Sequence, residues 1–86
     1  MPTMPTDGNA VAGLLADLFL PEMTTATTTC SSCGNVATIG ELVAYTQAPG
    51  VVIRCRSCGA AQLRIVRDSA RAWLDLRGTR VIEVTL

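Results

Sequence analysis

The 86-residue sequence contains no histidine and no lysine, and aromatic residues make up only 3% of it. Without histidine, the chain lacks the usual general base and the imidazole ligands of catalytic zinc sites. Its carboxylates form no close pair, and no glycine-rich phosphate-binding loop is present. We therefore predict that the protein is not an enzyme and that it binds no small-molecule substrate.

Long hydrophobic runs are also missing. The apolar stretch from Ala10 to Leu20 is shorter than the about 20 residues needed to cross a bilayer. A secretory signal would have a positively charged segment before its apolar stretch, and this sequence has no positive charge there. We expect no membrane association and a cytoplasmic location, where thiols stay reduced and favour metal binding over disulfides.

Four cysteines in two matching pairs are the most informative residues present. Each pair has the form Cys-x-x-Cys-Gly, and 21 residues separate the pairs. Two residues between cysteines let one turn present both sulfurs to the same ion, and four thiolates are typical of a structural zinc site. We predict one tetrahedral Zn²⁺ in two zinc knuckles, which together make a zinc ribbon. The predicted ligands are Cys30, Cys33, Cys55 and Cys58.

Iron is the alternative metal, because rubredoxin-type electron carriers hold a single iron with the same four sulfurs. Zinc is favoured because closed four-cysteine sites are mostly structural. Rubredoxins also commonly have an aromatic-rich core and a proline in the second knuckle, whereas this chain has Arg56 and Ser57 there. A chain of this size has a small core, and a structural metal can supply on the order of 10 kcal/mol of folding free energy.

Charge is distributed unevenly along the chain. All seven basic residues are arginines between Arg54 and Arg80, whereas residues 1–50 carry four carboxylates and no basic residue. This asymmetry is typical of a nucleic-acid surface or of solvated arginines on a sheet, and the formal net charge of zero favours the second interpretation. Arg54 and Arg56 lie beside the second knuckle and could offset the negative charge of a metal-bound tetrathiolate.

An amphipathic helix is predicted over about residues 8–20, after a flexible leader at residues 1–6. Asp7 or Asn9 is the candidate N-cap, and Pro21 ends the helix. This apolar stripe could cover the protein's own sheet or dock into a partner's groove. The stripe consists of Val11, Leu14, Leu15, Leu18 and Phe19.

The zinc ribbon is predicted over about residues 24–60. A threonine-rich strand delivers Cys30 to the metal, and a hairpin turning at Ala48-Pro49-Gly50 ties one knuckle to the other. The predicted strands of this segment are residues 24–29, 36–39, 42–47 and 51–54.

A three-stranded meander is predicted over about residues 61–86. In its first strand, Leu63 and Ile65 share one face, and Gln62, Arg64 and Val66 share the other. Further strands are expected at 71–76 and after Gly78. Trp73 is expected to pack in or beside the core, with a role as a binding anchor as the alternative.

The fold predicted from these patterns is a small α+β single domain over residues 7–86. One amphipathic helix packs on an antiparallel β-sheet that carries a four-cysteine zinc ribbon at one end. An exposed edge of the sheet is a place where a partner strand could add.

The sequence after residue 6 resembles a family of short, functionally uncharacterised four-cysteine zinc-ribbon proteins of actinobacteria. Members of that family are sometimes labelled by analogy with the zinc domain of nickel metallochaperones. Those chaperones bind nickel through an N-terminal Met-His-Glu, whereas this chain begins Met1-Pro2-Thr3. The resemblance implies a zinc ribbon without an assigned activity. It rests on Asp7-Gly8-Asn9-Ala10, both Cys-x-x-Cys motifs, Ala48-Pro49-Gly50 and Arg71-Ala72-Trp73-Leu74-Asp75-Leu76-Arg77-Gly78.

The predicted function is that of a non-catalytic structural-zinc protein that binds another protein as a small interaction or accessory module. One alternative is a nucleic-acid-binding or ribosome-associated zinc ribbon that uses its arginines, and a second is a rubredoxin-like electron carrier. The biological process and the partner stay open. The candidate contact residues are Leu14, Leu18, Arg64, Arg67, Arg71 and Trp73.

Overall fold

Short strands dominate the protein, which is a small α+β fold. The computed structural model describes residues 6–47 and 50–86. Over these residues it has one short α-helix, α1, and eight strands, β1 to β8, with three 3₁₀ turns at Gly8–Val11, Met23–Thr25 and Ile39–Glu41. The elements are β1 Thr6–Asp7, α1 Ala12–Leu18, β2 Thr27–Cys30, β3 Val36–Thr38, β4 Val43–Tyr45, β5 Gly50–Arg54, β6 Ala61–Arg67, β7 Ala72–Asp75 and β8 Thr79–Glu83.

The strands form two antiparallel sheets. One sheet has five strands in the order β1-β4-β5-β6-β7, and the other has three in the order β3-β2-β8. Over the described residues, the chain therefore changes sheet between β1 and β2, between β3 and β4, and again between β7 and β8. The buried apolar cluster draws on the helical segments and on both β4-β5-β6 and the residues that flank β2 and β3. Its members are Val11, Leu15, Met23, Ala26, Ile39, Leu42, Ala44, Ile53, Leu63 and Ile65.

The predicted helix is present but shorter than residues 8–20. It opens as the 3₁₀ turn Gly8–Val11, which the Asp7 carboxylate caps by accepting a bond from the backbone N–H of Asn9 at 3.1 Å. The α-helical part ends at Leu18, and Phe19 is already extended with φ −131°. Among the described residues, no helix is long and apolar enough to cross a membrane.

The predicted leader lies outside the described residues except for Thr6. Thr6 belongs to β1 and pairs with Ala44 of β4. The first residues that the structure describes are thus attached to the edge of the five-stranded sheet.

The threonine-rich strand begins later than predicted. Met23–Thr25 form a 3₁₀ turn because the Glu22 carboxylate accepts a bond from the backbone N–H of Thr24 at 3.2 Å. The strand β2 starts at Thr27 and runs to Cys30, so the prediction that it delivers the first cysteine is confirmed.

The hairpin between the cysteine pairs is only partly as predicted. β4 and β5 pair antiparallel, but β3 lies in the other sheet, beside β2. Ile39–Glu41 form a 3₁₀ turn with a capping box, in which the Glu41 carboxylate accepts from the backbone N–H of Thr38 at 3.0 Å. This turn redirects the chain from one sheet to the other. Residues 48 and 49 of the predicted turn lie outside the described residues, and Gly50 begins β5.

The predicted three-stranded meander is wrong. β6 and β7 pair as expected, but β8 leaves them and pairs with β2. The physical reason is a polar network between the sheets. Gln62 is 1% exposed and donates to the Thr28 hydroxyl at 3.1 Å and to the Thr79 hydroxyl at 3.4 Å. The Thr79 hydroxyl in turn donates to the backbone carbonyl of Gln62 at 3.1 Å.

Trp73 is not a core residue. It lies on β7, the outer strand of the five-stranded sheet, and 52% of its surface is exposed. Its neighbour Leu74 is 43% exposed, although Leu74 pairs with the buried Ile65 of β6. At this sheet edge neither face of β7 is fully covered, so burial along the strand does not alternate.

Candidate metal centre

The four cysteines predicted as metal ligands converge at one point. Their sulfur atoms all lie within 4.8 Å of one another, and none is in a disulfide. The Sγ atoms of Cys30 and Cys58 are 3.8 Å apart, and those of Cys33 and Cys55 are 3.7 Å apart. A tetrahedral ion with metal–sulfur bonds of about 2.3 Å requires sulfurs about 3.8 Å apart. The donor set therefore fits a single thiolate-bound metal ion, and this geometry does not distinguish zinc from iron.

Both cysteine pairs lie on turns of the same construction. In the first turn, the backbone N–H of Cys30 donates to the carbonyl of Asn35 and that of Gly34 donates to the carbonyl of Cys30, both at 2.9 Å. The second turn repeats both bonds between the matching residues at 2.8 and 2.9 Å. Gly34 and Gly59 both have φ +78°, a conformation that glycine adopts without steric cost. The glycine after each pair is thus required by the turn.

Irregularities in strand pairing orient the first cysteine of each pair towards the cluster of sulfurs. The pairing of β2 with β8 shifts register between Thr29 and Cys30. The pairing of β5 with β6 shifts register between Ile53 and Arg54, immediately before Cys55. A bulge bends a strand and changes where the next side chain points, and here it does so at the entrance to each turn.

Each turn contributes one buried and one exposed sulfur. Cys30 and Cys55 are 0% and 2% exposed, whereas Cys33 and Cys58 face solvent. Burial alone raises the pKa of Cys30, but bonds from the backbone N–H groups of Cys33 and Ser32 and from Cys58 outweigh it and lower that pKa to about 7. The Asn35 backbone N–H lowers the pKa of Cys33, but partial desolvation and hydrogen bonds with the three neighbouring sulfurs raise it to about 12.

The cause of this difference is the crowding of four sulfurs that would all carry negative charge. Cys30 ionises first because backbone bonds stabilise its thiolate, and Cys33 then resists ionising beside it. A divalent cation removes this conflict because it neutralises the thiolates as they form.

Two arginines support the turns through backbone carbonyls. Arg54 donates from Nη1 to the carbonyl of Gly59 at 3.0 Å, and its guanidinium lies 5.8 Å from the centre of the Tyr45 ring. Arg56 donates from Nε to the carbonyl of Glu41 at 2.7 Å. The predicted positive charge beside the second turn is therefore present, and it is held in place by these bonds.

Sequence reasoning missed the contacts that attach the first turn to the rest of the protein. The backbone N–H of Ser31 donates to the carbonyl of Gly78 at 3.0 Å, and its hydroxyl donates to the carbonyl of Arg77 at 3.1 Å. These residues are far apart in the sequence, so only the fold brings them together. The glycine at position 78 was the one feature of the sequence that could have indicated a close contact here.

The other predicted site residues do not gather into one site. Leu14 and Leu18 are partly buried and pack against the protein's own core. Arg67 pairs with Asp17 at 3.2 Å, with both side chains about half exposed. The remaining three lie on or beside the β6-β7 hairpin: Arg64, Arg71 and Trp73.

Comparison with known proteins places the chain in a family without assigning a function. The chain belongs to a family of unknown function, DUF6510, whose model matches residues 1–86. No curated protein and no solved structure matches the chain.

Proposed function

We propose that this member of the DUF6510 family is a non-catalytic structural-zinc protein that serves in the cytoplasm as a small interaction or accessory module. Its metal would be one Zn²⁺ held by Cys30, Cys33, Cys55 and Cys58. The two cysteine turns would be the knuckles of a zinc ribbon.

The convergence of four sulfurs at tetrahedral spacing is the observation that carries the proposal. Two turns with the same hydrogen bonds and the same glycine conformation point their sulfurs at one place. Reduced cysteines brought this close without a metal would repel one another on ionising. A bound metal would neutralise the thiolates, which would explain why four cysteines lie this close together.

A structural role is favoured over catalysis because the four protein ligands complete a tetrahedron. A catalytic zinc needs an open coordination position for water or substrate, and catalytic sites usually have three protein ligands. The sequence has no histidine that could act as a general base beside the metal. The most economical role for the ion is to hold the fold together.

A metal bound here would also connect the two sheets, which supports a structural role. Cys30 ends β2 of the three-stranded sheet, and Cys55 follows β5 of the five-stranded sheet. Metal binding would therefore cross-link two layers that have few residues each. Structural zinc sites of this kind can contribute on the order of 10 kcal/mol of apparent folding free energy.

Elemental analysis of protein purified without added metal tests the identity of the ion. We expect one zinc per chain and a colourless protein. One iron per chain with a reversible redox couple would instead establish an electron carrier and refute the proposal.

Cysteine replacement tests the structural role. Cys30→Ser should lose the metal and unfold at 25 °C, as followed by far-UV circular dichroism. Ser32→Ala and Ser57→Ala are matched controls because they alter the same turns without removing a sulfur, and both should keep the metal and the fold. If Cys30→Ser melted cooperatively at the wild-type temperature without metal, the ion would have no structural role.

Interaction with a protein is favoured over interaction with nucleic acid by the way the arginines are used. Arg54 and Arg56 bind backbone carbonyls, and Arg67 and Arg77 pair with carboxylates. Binding to RNA or DNA through the arginines would show an affinity that falls steeply with added salt. A titration of fluorescent single-stranded RNA at two salt concentrations should show no such binding.

A further inference from the structure

Exposed apolar side chains lie on three edge strands, singly as Val36 on β3 and Val81 on β8, and as an adjacent pair on β7. Within the described part of the chain, β7 has β6 as its single neighbour. Its two central residues are Trp73, 52% exposed, and Leu74, 43% exposed. Leu76, just beyond the strand, is 38% exposed. Unprotected edges of this kind are templates for pairing with another strand.

The other three sheet edges carry features that discourage pairing. β1 is two residues long. On β3, the backbone N–H of Thr38 is already bonded to the Glu41 carboxylate at 3.0 Å. β8 places the charged residues Arg80 and Glu83 at exposed positions. Short length, occupied donors and charge are the usual protections of an edge strand, and the two central residues of β7 carry neither an occupied outward donor nor a charge.

The hydrogen bonding of the β6-β7 hairpin shows which groups of β7 face outward. The backbone N–H of Asp68 donates to the carbonyl of Arg71 at 2.9 Å, at the closed end of the hairpin. Bonded and non-bonded pairs alternate along an antiparallel ladder, so Trp73 is bonded to Val66. The N–H and C=O groups of Ala72 and Leu74 therefore point to the free edge.

From this geometry we infer that β7 pairs antiparallel with β7 of a second copy of the chain, about a two-fold axis at Trp73. Ala72 of each copy exchanges two backbone hydrogen bonds with Leu74 of the other, which makes four bonds in all. Trp73 lies opposite Trp73 of the second copy in a non-bonded pair, where side chains are closest. The five-stranded sheets of the two copies become one continuous sheet.

Charge selects this register over its neighbours. With the axis at Trp73, Arg71 lies opposite Asp75 of the second copy on both sides of the axis. The Asp75 side chain is 31% exposed and accepts bonds from Arg77 at 3.0 and 2.7 Å, so its partly open carboxylate can take a second guanidinium. With the axis at Leu74, Arg71 would face Arg77 of the second copy, and like charges placed opposite each other destabilise a sheet. With the axis at Ala72, Arg71 would face Trp73 and gain no opposite charge.

The self-complementary pattern is what identifies the occupant as a second copy. An unrelated strand would satisfy the backbone groups of β7. Only a second copy of β7 running antiparallel also places Asp75 opposite Arg71 on both sides of the axis. Because a four-residue edge buries less area than a standard interface of about 1,600 Å², the dimer is weak and concentration-dependent.

Sedimentation velocity of the full-length zinc-loaded protein, from about 10 μM to about 1 mM, tests the inference over the range expected for a small interface. The weight-average mass should rise from one chain towards two and stop there. The emission of Trp73, the only tryptophan of the chain, should shift to shorter wavelength over the same range because its exposed half becomes buried. A monomer at every concentration, or assembly beyond a dimer, overturns the inference.

Three variants locate the interface. Ala72→Pro removes an N–H that points away from β6, so the monomer should stay folded and the dimer should be lost. Arg71→Asp should abolish the dimer through repulsion by Asp75 of the second copy, and Asp75→Arg should do the same through Arg71. Arg80→Asp changes charge equally on β8 and should leave dimerisation unchanged.

Mixing Arg71→Asp with Asp75→Arg is the sharpest test of the register. Each variant alone places like charges opposite each other, but the mixed pair places opposite charges at both positions. We expect the mixture to regain the wild-type dimer while each separate variant stays monomeric. A dimer that persists in Ala72→Pro, or a mixture that stays monomeric, would show that β7 does not pair in this way.

These experiments are independent of the proposed metal role. A monomeric protein that contains one zinc and unfolds on chelation would overturn the pairing of β7 alone. A dimer that contains iron would overturn the zinc assignment alone.

Discussion

Gly78 is where the chain crosses from β7 of one sheet to β8 of the other, and replacing it with alanine is one of the most severe single changes that we expect outside the cysteines. A Cβ at this position would overlap the carbonyl oxygen of Ala61 and lie 2.7 Å from the Cα of Gln62. Both neighbours are backbone atoms of β6, so no side chain can rotate away. The 77–79 segment would have to retreat by roughly 1 Å or more, because close-packed interiors do not absorb such overlaps.

That retreat would break several contacts at once. The carbonyls of Gly78 and Arg77 accept bonds from the backbone and hydroxyl of Ser31, and Thr79 donates to the carbonyl of Gln62. Three hydrogen bonds at about 1 kcal/mol each, with some strain, give a loss of about 3 to 5 kcal/mol of unfolding free energy. Because Ser31 lies between Cys30 and Cys33, the same change should also weaken metal binding.

Urea unfolding of the metal-loaded protein measures the first effect, and competition with a chromophoric chelator measures the second. Gly13→Ala is the matched control, since a Cβ there meets nothing within 4 Å. On α1 that change should stabilise the protein by about 0.5 to 1 kcal/mol, because alanine is the better helix former. If Gly78→Ala unfolded within about 1 kcal/mol of the wild type, the close approach to β6 would not exist.

Three further changes test the turns, the inter-sheet network and the response to acid. Gly34→Ala and Gly59→Ala should each cost about 1 to 2 kcal/mol, since both residues have φ +78°, and equal stability in urea would show that the turns are built differently. Gln62→Leu should cost about 1 to 3 kcal/mol by removing its bonds to the Thr28 and Thr79 hydroxyls, and an unchanged urea midpoint would count against the network. On acidification, protons compete for the thiolates, so chelator-detected metal release should begin well above pH 4. The Arg77 side chain lowers the pKa of Asp75, and the Ala70 backbone N–H lowers that of Asp68. The stability that these two ionised carboxylates contribute is therefore present above about pH 4, and it is lost only as the pH falls towards their folded pKa values. Metal release that coincided with that lower range would contradict the thiolate site.

Local patterns in the sequence predicted the site and several of the elements. Two Cys-x-x-Cys-Gly motifs are sufficient to indicate both turns, because each turn is closed by bonds within six residues. The β6 strand, Ala61–Arg67, lies where the first strand of the meander was predicted, because its alternation is regular in the sequence. Leu15 was correctly placed on an apolar helical stripe, and it is buried in the core.

What the sequence did not predict depends on pairing between distant residues. β7 and β8 are both alternating strands, and nothing local shows that β8 pairs with β2. Gln62 falls on the polar side of the alternation, yet it is buried because Thr28 and Thr79 face it from the other sheet. Trp73 is exposed because β7 ends its sheet, and strand order cannot be inferred from the composition of one strand.

The position of the metal centre explains why the polar network lies where it does. Cys30 and Cys55 approach the site from different sheets, so an ion there would hold the two layers together at one end. Gln62 follows the second turn closely and reaches Thr28 and Thr79 in the other sheet, which adds a second connection beside the first. Each connection joins residues of different sheets, so each depends on the two sheets keeping their relative position. Loss of the ion should therefore weaken the Gln62 contacts as well, and unfolding on chelation should be a single cooperative step rather than local fraying of two turns.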